Sequence, residues 1–464
     1  MNQPQQAKFH LGFIWSALGI ALFAGFAIGA HLAAVIGLER LLGLGFYSFI
    51  QIHGHLQLVG WAGLFIIGIS LHFIPRLAGV PIAFPQWIGR IQFLLTAGLV
   101  SRALFHSFLP YITASAIFQF FSFLIVLSGL LELAGITSYV FLVLNSMRRI
   151  RPAVKERPAL QAVRPYFAMM LAGWMLYSGI NATLLIDMAI SSAATVNHAW
   201  NDFAINLFCG LVLLPVGFAF STRMFPLYLR LPAADWPVGN VGLGYLIFFL
   251  LQLMPTLPPL LGMMPEAAFF ISAIGQCGKA VVIFLFVWKL DVLLRRRAPW
   301  TVERSGEPGP ERKPTRDGLP EYGEFGRFER LLYSAYVWLL IGAGLDFLSG
   351  AATIFKWELQ ISTDAIRHGY LLGFITLLIL GMAPRMIPGF INKKLASVKL
   401  VNRTFWYGNL AVSCRVLPLL VPDLLFEKIS PTVFFSQAMF ALSGMFGLAA
   451  VWCLAVNLRR TAKT

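Results

Sequence analysis

Eight histidines are the residues of this 464-residue chain best suited to metal chemistry: His10, His31, His53, His55, His72, His106, His198 and His368. A neutral imidazole binds haem iron, copper or zinc through one nitrogen while the other is hydrogen-bonded. Four of the eight stand at the openings of three segments that share an outline. They are 53-HGHLQLVGWAGLFIIGISLHFIPRLAG-79, 198-HAWNDFAINLFCGLVLLPVGFAFSTRMFPLYL-229 and 368-HGYLLGFITLLILGMAPRMIPGF-390. Each opens on His, runs through glycines and apolar residues, and closes on Arg with Pro nearby. The pairs are His53/His55 with Arg76, His198 with Arg223 and His368 with Arg385. A histidine repeated at one depth in three related segments points to ligation of haem or of a metal such as copper. Bis-histidine haem needs two rings facing each other from different helices, and copper about three nitrogen ligands in a small cluster.

His53 and His55 lie about 200° apart round a helix, so both cannot address one iron. One is a candidate ligand; the other meets a backbone group, a propionate or a second metal. Gly60, Gly63 and Gly68 leave a smooth face on the same helix, for a flat macrocycle or for tight helix packing. The arginines lie roughly 26–38 Å from their histidines at 1.5 Å per residue, too far to serve one site, and read as interfacial anchors. His10, His31, His72 and His106 read as structural. Glu132, Asp187, Asp202 and Asp346 are the candidate intramembrane acids, with Asp202 one turn beyond His198. Cys209, Cys277, Cys414 and Cys453 form no CxxC pair and read as small core residues.

The elements that must hold these residues are helices in a membrane. Apolar residues make up 58% of the chain and charged residues 12%, with mean hydropathy +0.75. Soluble domains carry about 25% charge. The apolar runs reach 20 residues or more without the alternation of barrel strands, so an all-α polytopic protein in contact with lipid is expected. Spans are placed at 11–37, 47–75, 85–108, 112–146, 164–190, 197–221, 240–261, 266–294, 328–355, 366–388, 403–421 and 431–457, about twelve transmembrane helices in all. Pro255, Pro258 and Pro259 interrupt the seventh. The first run is too long for a signal peptide and lacks a cleavage site, so it reads as a retained span.

The net charge of +16 sits in short loops, which argues for topology rather than nucleic-acid binding. Arg148, Arg149, Arg151, Lys155, Arg157 and Arg164 oppose only Glu156 between spans 4 and 5. Lys393, Lys394, Lys399 and Arg403 lie between spans 10 and 11, and Arg459, Arg460 and Lys463 close the tail. Both termini and all even-numbered connections are therefore expected in the cytoplasm. The chain reads as one membrane domain, 1–464, with a cytoplasmic linker at 295–327 rich in mixed charge. The histidine segments fall in spans 2, 6 and 10, roughly 150 residues apart, which divides the chain into three pseudo-repeated four-helix units near 1–150, 151–294 and 328–464.

HGHLQLVGW at 53–61, NHAW at 197–200 and HGYLLGFITLLILGMAPRMIP at 368–388 resemble the NnrS family, twelve-span bacterial inner-membrane proteins of the nitric oxide response that contain haem and copper. The architecture is also similar to subunit I of haem-copper oxidases and nitric oxide reductases. That resemblance implies three four-helix arcs, a haem held by His53 or His55 together with His368, and a metal position at His198. The chain departs from the oxidases in having no His in span 7 and only His368 in span 10. A complete oxygen-reducing haem–copper centre cannot be assembled without those ligands.

The expected function is therefore that of a haem-binding membrane protein of the nitric oxide response or of electron transfer. Haem would lie towards the outer face, with copper near His198 as a family implication. Nitric oxide, an electron donor or other membrane subunits would be partners. Two other readings stay open: a divergent nitric oxide reductase or quinol-linked oxidoreductase, and a cofactor-free transporter whose histidines line a path.

Overall fold

The structure, a computed structural model, describes residues 9–150, 154, 158–297, 324–420 and 430–463. All regular structure among them is helical. Among the described residues eleven helices are long and apolar enough to cross a bilayer: α1 (Leu11–Gly37), α2 (Phe46–Leu77), α3 (Trp87–Tyr111), α4 (Ser115–Arg148), α5 (Leu160–Ile190), α6 (His198–Tyr228), α7 (Val238–Thr256), α8 (Pro265–Leu290), α9 (Phe328–Phe355), α10 (Thr363–Phe390) and, last, α12 (Val433–Lys463). The helix between the last two, α11 (Val398–Val416), packs against α12. It carries Lys399, Arg403 and Arg415 along its length and so lacks the composition of the others. The sequence placed this span at 403–421. The apolar run Leu417–Leu420 forms only a 3-10 turn after Val416, and residues 421–429 lie outside those described. Most of the 295–327 linker, and Arg151, Lys155, Glu156 and Arg157 of the 4–5 loop, lie outside them too.

Proline decides the seventh span. Its α-helix ends at Leu253 and tightens to a 3-10 turn over Met254–Thr256, and Pro258 opens a separate six-residue turn. Pro265 then starts α8 at its first position, where a missing N–H costs nothing. Asp291 closes α8 in the left-handed conformation at φ 61°. Burial would raise the Asp291 carboxyl, but hydrogen bonds from the Arg296 and Arg297 backbone and the Arg296 guanidinium outweigh it and hold the group below its ordinary range.

The residues form two compact units, Met1–Leu213 with Leu257–Pro259, and Leu214–Thr256 with Leu260–Thr464. In the first, α3 packs on α4 and α4 on α5. A Cβ on Gly98 would stand 2.7 Å from Glu132 Cγ, so this glycine sets how closely α3 approaches α4. In the second, α8 packs between α7 and α9. The glycines of α2 are filled by neighbouring helices: Gly60 by Ile20, Gly63 by Trp174 and Gly68 by Phe13. Tight packing is thus their role.

Helices α2, α6 and α10, the ones carrying the repeated histidines, have the largest buried shares along their apolar windows. The values are 89%, 72% and 83%, against 28% for α4 and α7, so lipid-facing work falls to the other helices. Each of the three also widens into a π-helical stretch, at Leu56–Gly63, Cys209–Leu213 and Gly369–Thr376; α1 does so at Ala21–Gly25. Such stretches are uncommon and recur at functional sites.

Candidate functional site

His53 is half-buried on α2, one turn before the π-helical stretch. Its ring reaches across to α1, where Nδ1–H donates to the Gly25 carbonyl at 2.8 Å. That carbonyl ends the π-helical stretch of α1. Gly29 makes the approach possible, because a Cβ there would lie 2.5 Å from His53 Cε1. Donation from Nδ1 places the unprotonated lone pair on Nε2, the tautomer that a metal-binding histidine uses.

His55 faces elsewhere, as two residues along a helix require. It is 4% exposed, and both ring nitrogens are engaged. Nε2–H donates to Glu132 Oε2 at 2.8 Å and Nδ1 accepts from the Tyr177 hydroxyl at 2.9 Å. The Tyr177 ring stacks on the imidazole at 6.0 Å. His55 is thereby a fully bonded interior histidine joining α2, α4 and α5. His198 opens α6 at an exposed position, with its ring edge-on to Tyr47 at 5.6 Å. Asn197 caps that helix by accepting from the Trp200 N–H.

In the second unit His368 ends the first α-helical stretch of α10. Nδ1 lies 2.9 Å from the Asp364 carbonyl and 3.0 Å from its carboxylate Oδ1. Asp364 Oδ2 in turn accepts from Arg415 Nη2 at 2.8 Å, and that guanidinium lies 4.2 Å over the Phe440 ring. An Arg–Asp–His chain therefore fixes the ring and its tautomer. Among the described residues Nε2 of His368 makes no hydrogen bond, and the side chain is 23% exposed. The sequence offered no signal for Asp364 or Arg415 as its partners, although Asp364 stands one helical turn before it.

Tyr370, two residues after His368, is buried and donates to Asp346 Oδ2 at 2.9 Å. Lys279 Nζ lies 2.5 Å from the same oxygen and Gln276 donates to Oδ1 at 2.6 Å, which completes the shell of this interior carboxylate. His-Gly-His in α2 and His-Gly-Tyr in α10 thus share a division of labour. The first residue puts Nδ1 on a main-chain carbonyl, and the third meets a buried carboxylate.

Of the four acids expected inside the membrane, Glu132 and Asp346 are buried, whereas Asp187 and Asp202 are exposed. His72 is buried beside Arg76 and the Phe9 ring, and His106 donates from Nε2 to the Ala194 carbonyl at 3.0 Å. His31 is exposed and stands edge-on to Phe49. Arg76 and Arg223 are exposed at the ends of their helices, and Arg385 lies over the rings of Phe325 and Tyr228. Buried Arg102 and Lys279 went unremarked in the sequence, where a lone basic residue in an apolar run gives no sign of its partners. No group of three or more His, Cys, Asp or Glu able to hold a metal ion occurs among the described residues. No protein-family model matches the chain, and no curated protein matches it.

Proposed function

We propose that this chain is an NnrS-like haem-binding protein of a bacterial inner membrane, serving the nitric oxide response or electron transfer, with His53 and His368 as its axial ligands. One observation carries the reading. Both histidines hold Nδ1 against a main-chain carbonyl, Gly25 for one and Asp364 for the other, the arrangement in which a histidine binds iron through Nε2. His55 suits the role less, since a metal on either of its nitrogens would displace Tyr177 or Glu132. Each of the two histidines is held in the tautomer that haem ligation uses.

Bound haem supplies a one-electron couple and, when ferrous with a displaceable ligand, a site for nitric oxide. The chain's own residues do the rest. Gly25 and Gly29 seat the His53 ring, while Asp364 and Arg415 orient His368 and set its basicity. Two fixed histidines favour electron transfer over direct capture of the gas. Copper at His198 would need additional nitrogen ligands beyond that exposed ring. The three four-helix repeats, cytoplasmic termini and oxidase-like arcs belong to the same proposal; a π-helical stretch in each of α2, α6 and α10, as also in α1, is in keeping with the repeats.

The test is an ultraviolet–visible spectrum of detergent-purified protein, oxidised and dithionite-reduced, with a pyridine haemochrome assay and copper analysis. The expected result is a Soret band with sharp reduced α and β bands, lost in His53→Ala and in His368→Ala and retained in His72→Ala. Colourless protein from haem-replete cells would overturn the reading in favour of a transporter. Turnover of nitric oxide at two metal centres would favour the reductase.

A further inference from the structure

The first unit holds a second polar cluster, apart from His53. Arg102 on α3 is 2% exposed and makes no hydrogen bond through Nε or Nη1. Glu132 on α4 is 3% exposed; its Oε2 accepts from His55, and its Oε1 has no partner. The two charges are near enough to interact electrostatically, and Tyr177 of α5 lies within the same range of both. Yet no ion pair joins Arg102 to Glu132 directly. His106, one turn along α3 from Arg102, is fully buried and has an unpartnered Nδ1. Its Nε2 donates to Ala194 in the loop before α6.

An interior of closely packed helices does not leave donors and an acceptor unmet side by side, because each has given up its hydration. The charge count identifies what completes them. Arg102 and Glu132 carry opposite formal charges that cancel. An added anion would leave the cluster negative, and an added metal ion would face the guanidinium. The guest must be neutral and small, accepting from Arg102 and donating to Glu132 Oε1. Water meets these requirements, and such sites hold water when two to four polar partners surround it.

We propose that internal water bridges Arg102 to Glu132, making this cluster a hydrated site inside the first unit. The site extends along α3 to His106 and so towards the loop at 191–197. Gly98, one turn before Arg102, keeps α4 close enough for the bridge. The water keeps the opposite charges of α3 and α4 solvated within an otherwise apolar helix bundle, and it brings solvent to His55 and Tyr177.

Radiolytic hydroxyl labelling of the purified full-length protein in oxygen-18 water, read by peptide mass spectrometry, tests this. Tyr139 is the control, buried in the same unit and bonded to Ser70. Tyr177 and His106 should be labelled roughly tenfold faster than Tyr139, since bound water delivers the radical in place. Equal labelling of the three would overturn the proposal. In the double variant Arg102→Met, Glu132→Met, labelling of Tyr177 and His106 should fall to the Tyr139 level in protein that still elutes as a single species. Undiminished labelling there would also overturn it. Should that variant fail to fold, the wild-type comparison decides alone.

Discussion

His53 and His55 are separated by one glycine, and the spacing alone told that they face apart without telling which is held in which way. The answer lies in partners distant in sequence: Gly25 for His53, Tyr177 and Glu132 for His55. The position of these imidazoles at helix ends was legible in the sequence. Asp364 and Arg415, which restrain His368, were not, because hydrogen bonding between helices leaves no periodic trace. The Arg415–Asp364–His368 chain makes a signed prediction under the haem proposal. A carboxylate on Nδ1–H raises imidazole basicity and favours ferric iron, and the guanidinium draws that charge back. Asp364→Asn should therefore raise the midpoint potential, and Arg415→Met should lower it, in redox titrations followed at the α band. Shifts of the same sign in both variants would show a merely structural effect.

At the scale of elements, apolar runs of 20 residues announced the helices well, because lipid enforces complete internal hydrogen bonding. The prolines at 255, 258 and 259 were rightly read as an interruption. The eleventh span was over-extended by the apolar Leu417–Leu420, and the π-helical stretches were invisible in composition. The end of α8 shows how a cap works through charge. Asp291 is 2% exposed and accepts from the Arg297 N–H at 2.9 Å and from Arg296 Nε at 3.2 Å. Its carboxyl is held below the ordinary value of 3.8, so the ionised group stabilises the fold above that pH and the gain is lost as pH falls through the lowered value. Asp291→Asn should cost about 1–3 kcal/mol at neutral pH. In thermal unfolding across pH 3–8 the gap from wild type should stay level down to about pH 5 and close below about pH 4.

For the whole molecule, the fold was legible to the extent that charge is scarce and sits in loops. Arg102 and Lys279 are buried cations that composition conceals, each within range of a buried acid, Glu132 or Asp346. Lys279 and Asp346 form a closed pair of α8 and α9, 5% and 1% exposed, with Gln276 and Tyr370 completing the carboxylate's shell. Removing one member strands the other in a medium that cannot solvate it. Lys279→Met should therefore destabilise the second unit by about 3–5 kcal/mol, while Lys279→Met with Asp346→Leu should return most of that loss. Detergent-resistant unfolding transitions of the two variants measure the difference; equal losses would mean that the pair is not coupled.

The π-helical stretches in α2 and α10 act as phase shifters. A π turn spans one residue more than an α turn, and one residue is about 100° of rotation on an α-helix. Leu56–Gly63 begins immediately after His55, and Gly369–Thr376 immediately after His368. In each helix the histidine end and the remainder are therefore indexed separately, each end choosing its own neighbours. The turn that carries each histidine can thus take its own heading, while the rest of the helix keeps its side chains against its packing partners.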